Sequence, residues 1–151
     1  MSNKSREALL AWLELLRTSN YIKKMIDGKL RAQFGQSISR FDVLSTLERG
    51  QRNGVRAGDL SRAMVVSEGN ITQLMSKLLR DGLVLKRNDE KDARVVIYSL
   101  SDEGLSLFNV MATAHAGWIT EVFKELSTKD LTEFRDLLDN LPSQSKLEAV
   151  A

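Results

Sequence analysis

The chain has 151 residues, 42% hydrophobic and 28% charged, which is ordinary for a folded soluble domain with accessory helices. It has no cysteine, which excludes disulfides and thiolate metal sites, and with one histidine a structural zinc is not expected, nor is any other metal or a cofactor. The net charge of +2 is unevenly spread: residues 1–51 carry nine Lys/Arg and five Asp/Glu, residues 52–94 nine and six, and residues 95–151 four and nine. A positive surplus that ends near Arg94, followed by an acidic tail, suits a chain whose middle meets a polyanion. No apolar run approaches the roughly 20 residues that span a bilayer. Met1-Ser2-Asn3-Lys4-Ser5 leads into Arg6-Glu7-Ala8 rather than a signal-peptide core, so a cytoplasmic protein with no membrane partner is expected.

Residues 5–34 read as one long helix without proline. Its apolar positions Leu9, Leu13 and Leu16, then Ile22, Ile26 and Leu30, fall three or four apart, and the stripe shifts between the two halves. A second helix is expected from Ser39, with Asp42 completing a capping box, Phe41, Leu44 and Leu47 buried, and Gly50 as its end. Gln51–Val55 reads as a polar turn. A short third helix starts at Arg56 or Ala57 with Leu60, Ala63 and Met64 inside. Ser67 is the expected N-cap of a fourth helix that runs to about Asp81, with Ile71, Leu74 and Leu78 on its apolar face and Gly82 as its stop.

Two β-rich runs, Leu83–Lys86 and Val95–Leu100, flank the charged loop Arg87–Arg94 and read as a hairpin. Ser101 caps a fifth helix with Asp102 and Glu103 in its first turn. Its stripe Leu105, Phe108, Ala112, His115, Ile119, Val122, Leu126 is spaced like a coiled-coil seam. Ser127 with Asp130 opens a last helix lined by Leu131, Phe134, Leu138 and Leu141, and Pro142 stops it.

Two short helices, the second well capped, followed by a hairpin, suit a winged helix-turn-helix, in which the second helix fits the major groove of DNA. That packing leaves Ser67, Asn70, Thr72, Gln73, Ser76 and Lys77 facing outward. Asn70 and Gln73 carry amides able to pair with adenine, and Lys77 can neutralise a phosphate. Ser67 and the free amides at the helix start can do likewise. In the wing, Arg87, Lys91 and Arg94 can reach the backbone or minor groove, and Asp92 can orient Arg94 through a fork-like pair.

Several segments together resemble the MarR (multiple antibiotic resistance regulator) family of winged-helix transcription factors. They are Asp59-Leu60-Ser61, Val66-Ser67-Glu68-Gly69-Asn70-Ile71-Thr72-Gln73-Leu74, Leu78-Leu79-Arg80-Asp81-Gly82-Leu83-Val84, the wing Asp92-Ala93-Arg94, and Leu100-Ser101-Asp102-Glu103-Gly104. The resemblance covers about residues 35–141. It implies a dimer on an inverted-repeat operator, repression of a nearby operon, and release by a small, often aromatic or anionic, effector. It carries Ser67, Asn70, Thr72 and Gln73 over to the reading helix and Arg94 to the wing tip. Gly69, in the first turn of that helix, departs from good helix chemistry, costing on the order of 1 kcal/mol against alanine in a helix interior.

The terminal segments carry apolar stripes that a small central domain cannot bury. A homodimer interface is therefore expected at Leu9, Leu13, Leu16, Ile119, Leu131, Phe134, Leu138 and Leu141. His115, Trp12 and Trp118 read either as packing residues or as the lining of an effector pocket, with Arg17 or Arg40 supplying charge for an aromatic carboxylate or related compound. The expected fold is mainly α with a small β-hairpin wing. Residues 1–36 form an N-terminal dimerisation helix, 37–100 the winged helix-turn-helix, and 101–151 the C-terminal dimerisation helices. No phosphate-cradling loop, serine elbow or paired metal-ligand histidines are present, so no catalytic residue is nominated and an enzyme is not expected. The rival reading is a winged helix used for protein contacts without DNA binding.

Overall fold

The first helix, α1 (Asn3–Phe34), begins where the Ser2 hydroxyl accepts the Ser5 N–H at 3.1 Å, and it ends at Gly35, whose φ of 65° lets its N–H return to the Arg31 carbonyl. Among its residues only Ile26 and Leu30 are buried, both in the half nearer Gly35. The protein is seen here as a computed structural model that describes residues 1–50, 53–65 and 70–150.

The second helix, α2 (Ile38–Arg49), is the centre of the core, with Val43, Leu44 and Leu47 almost wholly shielded from solvent. The expected capping box of Ser39 and Asp42 does not form. Ser37, two residues earlier, accepts the Arg40 N–H and caps the helix, while the Asp27 carboxylate of α1 accepts the Ile38 N–H at 2.9 Å. Asp42 is instead buried, and its carboxylate accepts the Val65 N–H at 2.7 Å. A buried carboxylate must find a donor, and a tertiary one serves it here.

The expected polar turn before the third helix ends in a short strand, β1 (Val55–Arg56), which leads directly into α3 (Ala57–Ala63). The next described helix, α4 (Ile71–Arg80), has Asn70 as its N-cap rather than Ser67, and Ser67 and Gly69 lie outside the described residues. Asn70 does what serine was expected to do: its side-chain oxygen accepts the Gln73 N–H at 3.3 Å. Met75 and Leu78 are the buried side of α4, whereas Ile71 and Leu74 are half-buried.

Gly82 turns the chain at φ 73° into β2 (Val84–Asn88), which pairs antiparallel with β3 (Val96–Leu100). The hairpin strand therefore runs two residues past Lys86, and the tip is shorter than expected. β1 adds to the far side of β3, giving the order β1-β3-β2 with Arg56 and Arg87 both opposite Ile97.

The fifth helix, α5 (Asp102–Val122), stops short of the expected Leu126. The bonds Lys124 N–H to Glu121 O and Leu126 N–H to Phe123 O tighten the chain into turns before Ser127 starts α6 (Thr128–Asp139). Ser127 and Asp130 form the expected reciprocal capping box. A five-residue helix, α7 (Gln144–Glu148), follows Pro142.

The chain divides into two compact units, residues 1–116 and 117–151. The first contains the buried core, drawn from α1 through Met111 of α5. Within the second, Phe123 and Phe134 meet with ring centres 6.4 Å apart, and α6 buries none of its side chains. Among the described residues, no helix is long and apolar enough to cross a membrane, and no three potential ligands gather as a metal site.

Candidate nucleic-acid interface

The buried residues of α4 are three apart, at Met75 and Leu78, so the opposite side of the cylinder must face out. Thr72, Gln73, Ser76, Lys77 and Arg80 are all exposed there. Their spacing makes one continuous surface of hydroxyls, an amide and two cations. Arg80 was not singled out by sequence reasoning, though it lies three and four residues beyond Lys77 and Ser76. Asn70 is exposed too, but it sits at the cap, where its oxygen is committed to the helix and its NH2 group faces solvent chemistry only as a donor.

The wing tip is built by its own hydrogen bonds. The Asp89 N–H bonds the Val95 carbonyl, the Val95 N–H bonds the Asp92 carbonyl, each at 2.9 Å, and the Asn88 amide bonds the Ala93 carbonyl. The Arg94 guanidinium, 91% exposed, lays Nε 3.1 Å from one Asp92 oxygen and an NH2 nitrogen 3.3 Å from the other. The Arg94 N–H also reaches Asp92 at 3.1 Å. The Arg94 side chain and then its backbone N–H hold the Asp92 carboxyl below the usual carboxylate range. The carboxylate therefore stays charged at neutral pH and holds the guanidinium in a fixed direction.

Arg87 is exposed, but one of its nitrogens donates to the Asn53 carbonyl at 3.2 Å, tying the wing to the segment before β1. Arg56 and Asp89 come within 3.9 Å across the same sheet. Neither Arg56 nor Asp89 was singled out from the sequence, because their meeting depends on β1 joining the hairpin. Lys91 is exposed at the tip.

The residues considered for an effector pocket are spread over several environments. Trp12 and Arg17 are exposed on α1. Arg40 donates from Nε to Gln36 and from an NH2 nitrogen to Asp81, each at 2.6 Å, so its guanidinium is already engaged. His115 is half-buried with its ring centre 5.0 Å from that of Phe41, which also stacks on Phe108 at 5.7 Å. Burial pushes the His115 imidazole below its ordinary value of 6.5. Trp118 belongs to the second unit and is half-buried. No hydrogen bond, ion pair or ring contact joins Trp12, Arg17, Arg40 and His115 to one another among the described residues. Phe41 and Phe108 are the aromatic partners that sequence spacing assigned only to helix stripes.

The positions expected to pair between protomers are uncovered in the single chain. Leu9, Leu13 and Leu16 of α1 are 52%, 41% and 38% exposed. In the second unit, Phe134, Leu138 and Leu141 are exposed, and Leu131 and Ile119 are half-buried.

Comparison with known proteins places this geometry among regulators. The MarR family model matches residues 37–96, the span from α2 to the first residue of β3. The uncharacterized HTH-type transcriptional regulator YkoM of Bacillus subtilis is 33% identical over 107 residues, covering 70% of this chain and 68% of YkoM. The transcriptional activatory protein BadR of Rhodopseudomonas palustris is 29% identical over 136 residues, covering 86% and 77% of the two chains. Among solved structures, the MarR family regulator Sco3205 of Streptomyces coelicolor, determined in complex with DNA, superposes with a TM-score of 0.79 at 18% identity, over 89% of this chain and 84% of the other.

Proposed function

The chain belongs to the MarR family of transcriptional regulators, and from that premise we propose that it binds double-stranded DNA as a symmetric dimer through α4 and the wing. The observation that carries this reading is the exposed face of α4, with Thr72, Gln73, Ser76, Lys77 and Arg80 on one side and Met75 and Leu78 anchoring the other. A helix so mounted can enter a major groove, where Gln73 reads a base edge and Lys77 and Arg80 meet phosphates. Arg94, held by Asp92, contacts the flanking backbone or minor groove. Acidic side chains in the wing serve this role by aiming the arginine rather than by facing phosphate.

The uncovered leucines of α1 and the apolar face of α6 support dimerisation, since a lone chain would leave them in water. Two-fold symmetry then presents two reading heads about 34–36 Å apart, one helical turn of an inverted repeat. Repression of a nearby operon is the direction proposed from the family likeness. Release by a small aromatic or anionic molecule follows the family likeness. The half-buried Phe41–Phe108–His115 group provides an apolar surface with one polar edge for such a molecule.

The test is selection of duplexes from a randomised pool by the purified chain, followed by titration of the selected duplex at several salt concentrations. An inverted repeat with half-sites one turn apart is expected, with affinity falling steeply as salt rises. Recovery of no preferred duplex, with no binding even at low salt, would leave the protein-contact reading in its place.

A further inference from the structure

Two side chains of α2, Arg40 and Asp42, hold the two ends of the span that contains α4. At the near end, where the chain leaves α3, the Asp42 carboxylate accepts the Val65 N–H at 2.7 Å. At the far end, Arg40 donates to the carboxylate of Asp81, the C-cap residue of α4, at 2.6 Å, and to Gln36 of the α1–α2 connection through Nε. Asp42 is 6% exposed and the Arg40 side chain 14%, so each tie is anchored in the core on its α2 side, while Asp81 and Val65 lie toward solvent. Between the two ties α4 is fixed by apolar contact through Met75 and Leu78. Apolar packing resists separation but tolerates sliding and rotation, whereas a hydrogen bond at the C-cap restrains the direction of that end of the helix.

We propose that Arg40 and Asp42 are positioning residues for the reading helix, Arg40 as a clamp on the C-cap of α4 and Asp42 as a tie on the chain at Val65, where it leaves α3. The proposal rests on the DNA-reading role of α4 put forward above. It reassigns Arg40 from a ligand counter-charge to a structural strut. Arg40 suits that task because its planar fork can serve Gln36 and Asp81 at once, which a lysine ammonium does less well. Asp42 suits its own because a carboxylate is a strong acceptor for a backbone N–H. An orientation error of a few degrees moves the tip of a ten-residue helix relative to base edges while barely changing its distance from phosphates. Loss of the clamp should therefore reduce discrimination between DNA sequences more than it reduces overall affinity for DNA.

The experiment uses the full chain and two duplexes, one selected by the wild type from a random pool and one of the same composition with shuffled sequence. Arg40→Ala and Asp81→Ala should each lower the selected-to-shuffled affinity ratio roughly two- to fivefold, the range open to a partly exposed ion pair. The double variant should be no worse than either single one, because both remove the same tie. Asp42→Asn, which keeps an acceptor oxygen, should retain more discrimination than Asp42→Ala. Should Asp42→Ala fail to fold, the Arg40–Asp81 arm still decides the matter. Amide exchange followed by NMR gives a reading independent of DNA: Arg40→Ala should speed exchange in the last turn of α4, and Asp42→Asn should leave Val65 protected. Unchanged discrimination together with unchanged exchange in Arg40→Ala and Asp81→Ala overturns the clamp. If the wild type selects no duplex, the DNA reading falls separately, and the exchange data alone judge whether the ties orient α4.

Discussion

Asp92 and Arg94 show how two charges in an exposed loop acquire a fixed geometry. The carboxylate is met by both the side chain and the backbone N–H of Arg94, closing a small ring that leaves the outer guanidinium edge free for an anion. Arg94→Ala should weaken DNA binding and reduce the slope of log affinity against log salt by about one, the signature of a lost phosphate contact. Asp92→Asn should weaken binding less, and circular dichroism of both variants should match the parent; wild-type affinity and slope in Arg94→Ala would remove the wing contact. His115 makes a second prediction. Burial favours its neutral form, so the folded chain binds its proton more weakly than the unfolded chain, whose value is near 6.5. Stability should be flat above that value, fall as pH drops through it toward the lower folded value, and level off below. The difference in urea midpoint between the wild type and His115→Gln, measured from neutral to mildly acidic pH, isolates this term; a pH-independent difference would contradict it.

At the scale of elements, the wing and α5 meet in close backbone contact. Ser101 donates to the Gly82 carbonyl and accepts the Gly104 N–H, and the Ser101 N–H returns to the Leu83 carbonyl. Gly104 is buried against that same carbonyl, and a Cβ there would stand 1.9 Å from the Leu83 oxygen. Gly104→Ala must therefore push α5 away from the hairpin. The expected cost is at least about 1–3 kcal/mol, read as a lowered urea midpoint, because the obstacle is backbone and cannot rotate aside. Unchanged stability would mean that the two elements slide freely. The Leu-Ser-Asp-Glu-Gly run was legible in the sequence as a helix start; that its glycine is a spacer for Leu83 was not, since the contact spans 21 positions.

For the whole molecule the unsettled free energy lies in its uncovered apolar faces. Leu9, Leu13 and Leu16 of α1 repeat at four and three residues and remain exposed in the single chain. Burying a leucine fully is worth about 1.5–3 kcal/mol, so a copy of the same chain is an effective cover. Leu13→Asp should shift the sedimentation mass from dimer toward monomer at micromolar concentration and weaken operator binding with it, while the wing and α4 remain folded. An unshifted dimer would place the interface elsewhere.

The order of long helix, short helices, hairpin and terminal helices was decided by local chemistry that one sequence carries: apolar residues three and four apart, Ser127 with Asp130, Gly35 and Gly82 as stops. The outward face of α4 was legible for the same reason, because helical periodicity fixes which residues share a side. What only the tertiary structure decided were pairings between distant positions: β1 with β3, Asp42 with the Val65 N–H rather than with a cap, Arg40 with Asp81, and Gly104 against Leu83. Periodicity encodes direction relative to an axis, and it holds no information about which other axis lies beside it. Buried polar groups are satisfied only once those neighbours are in place.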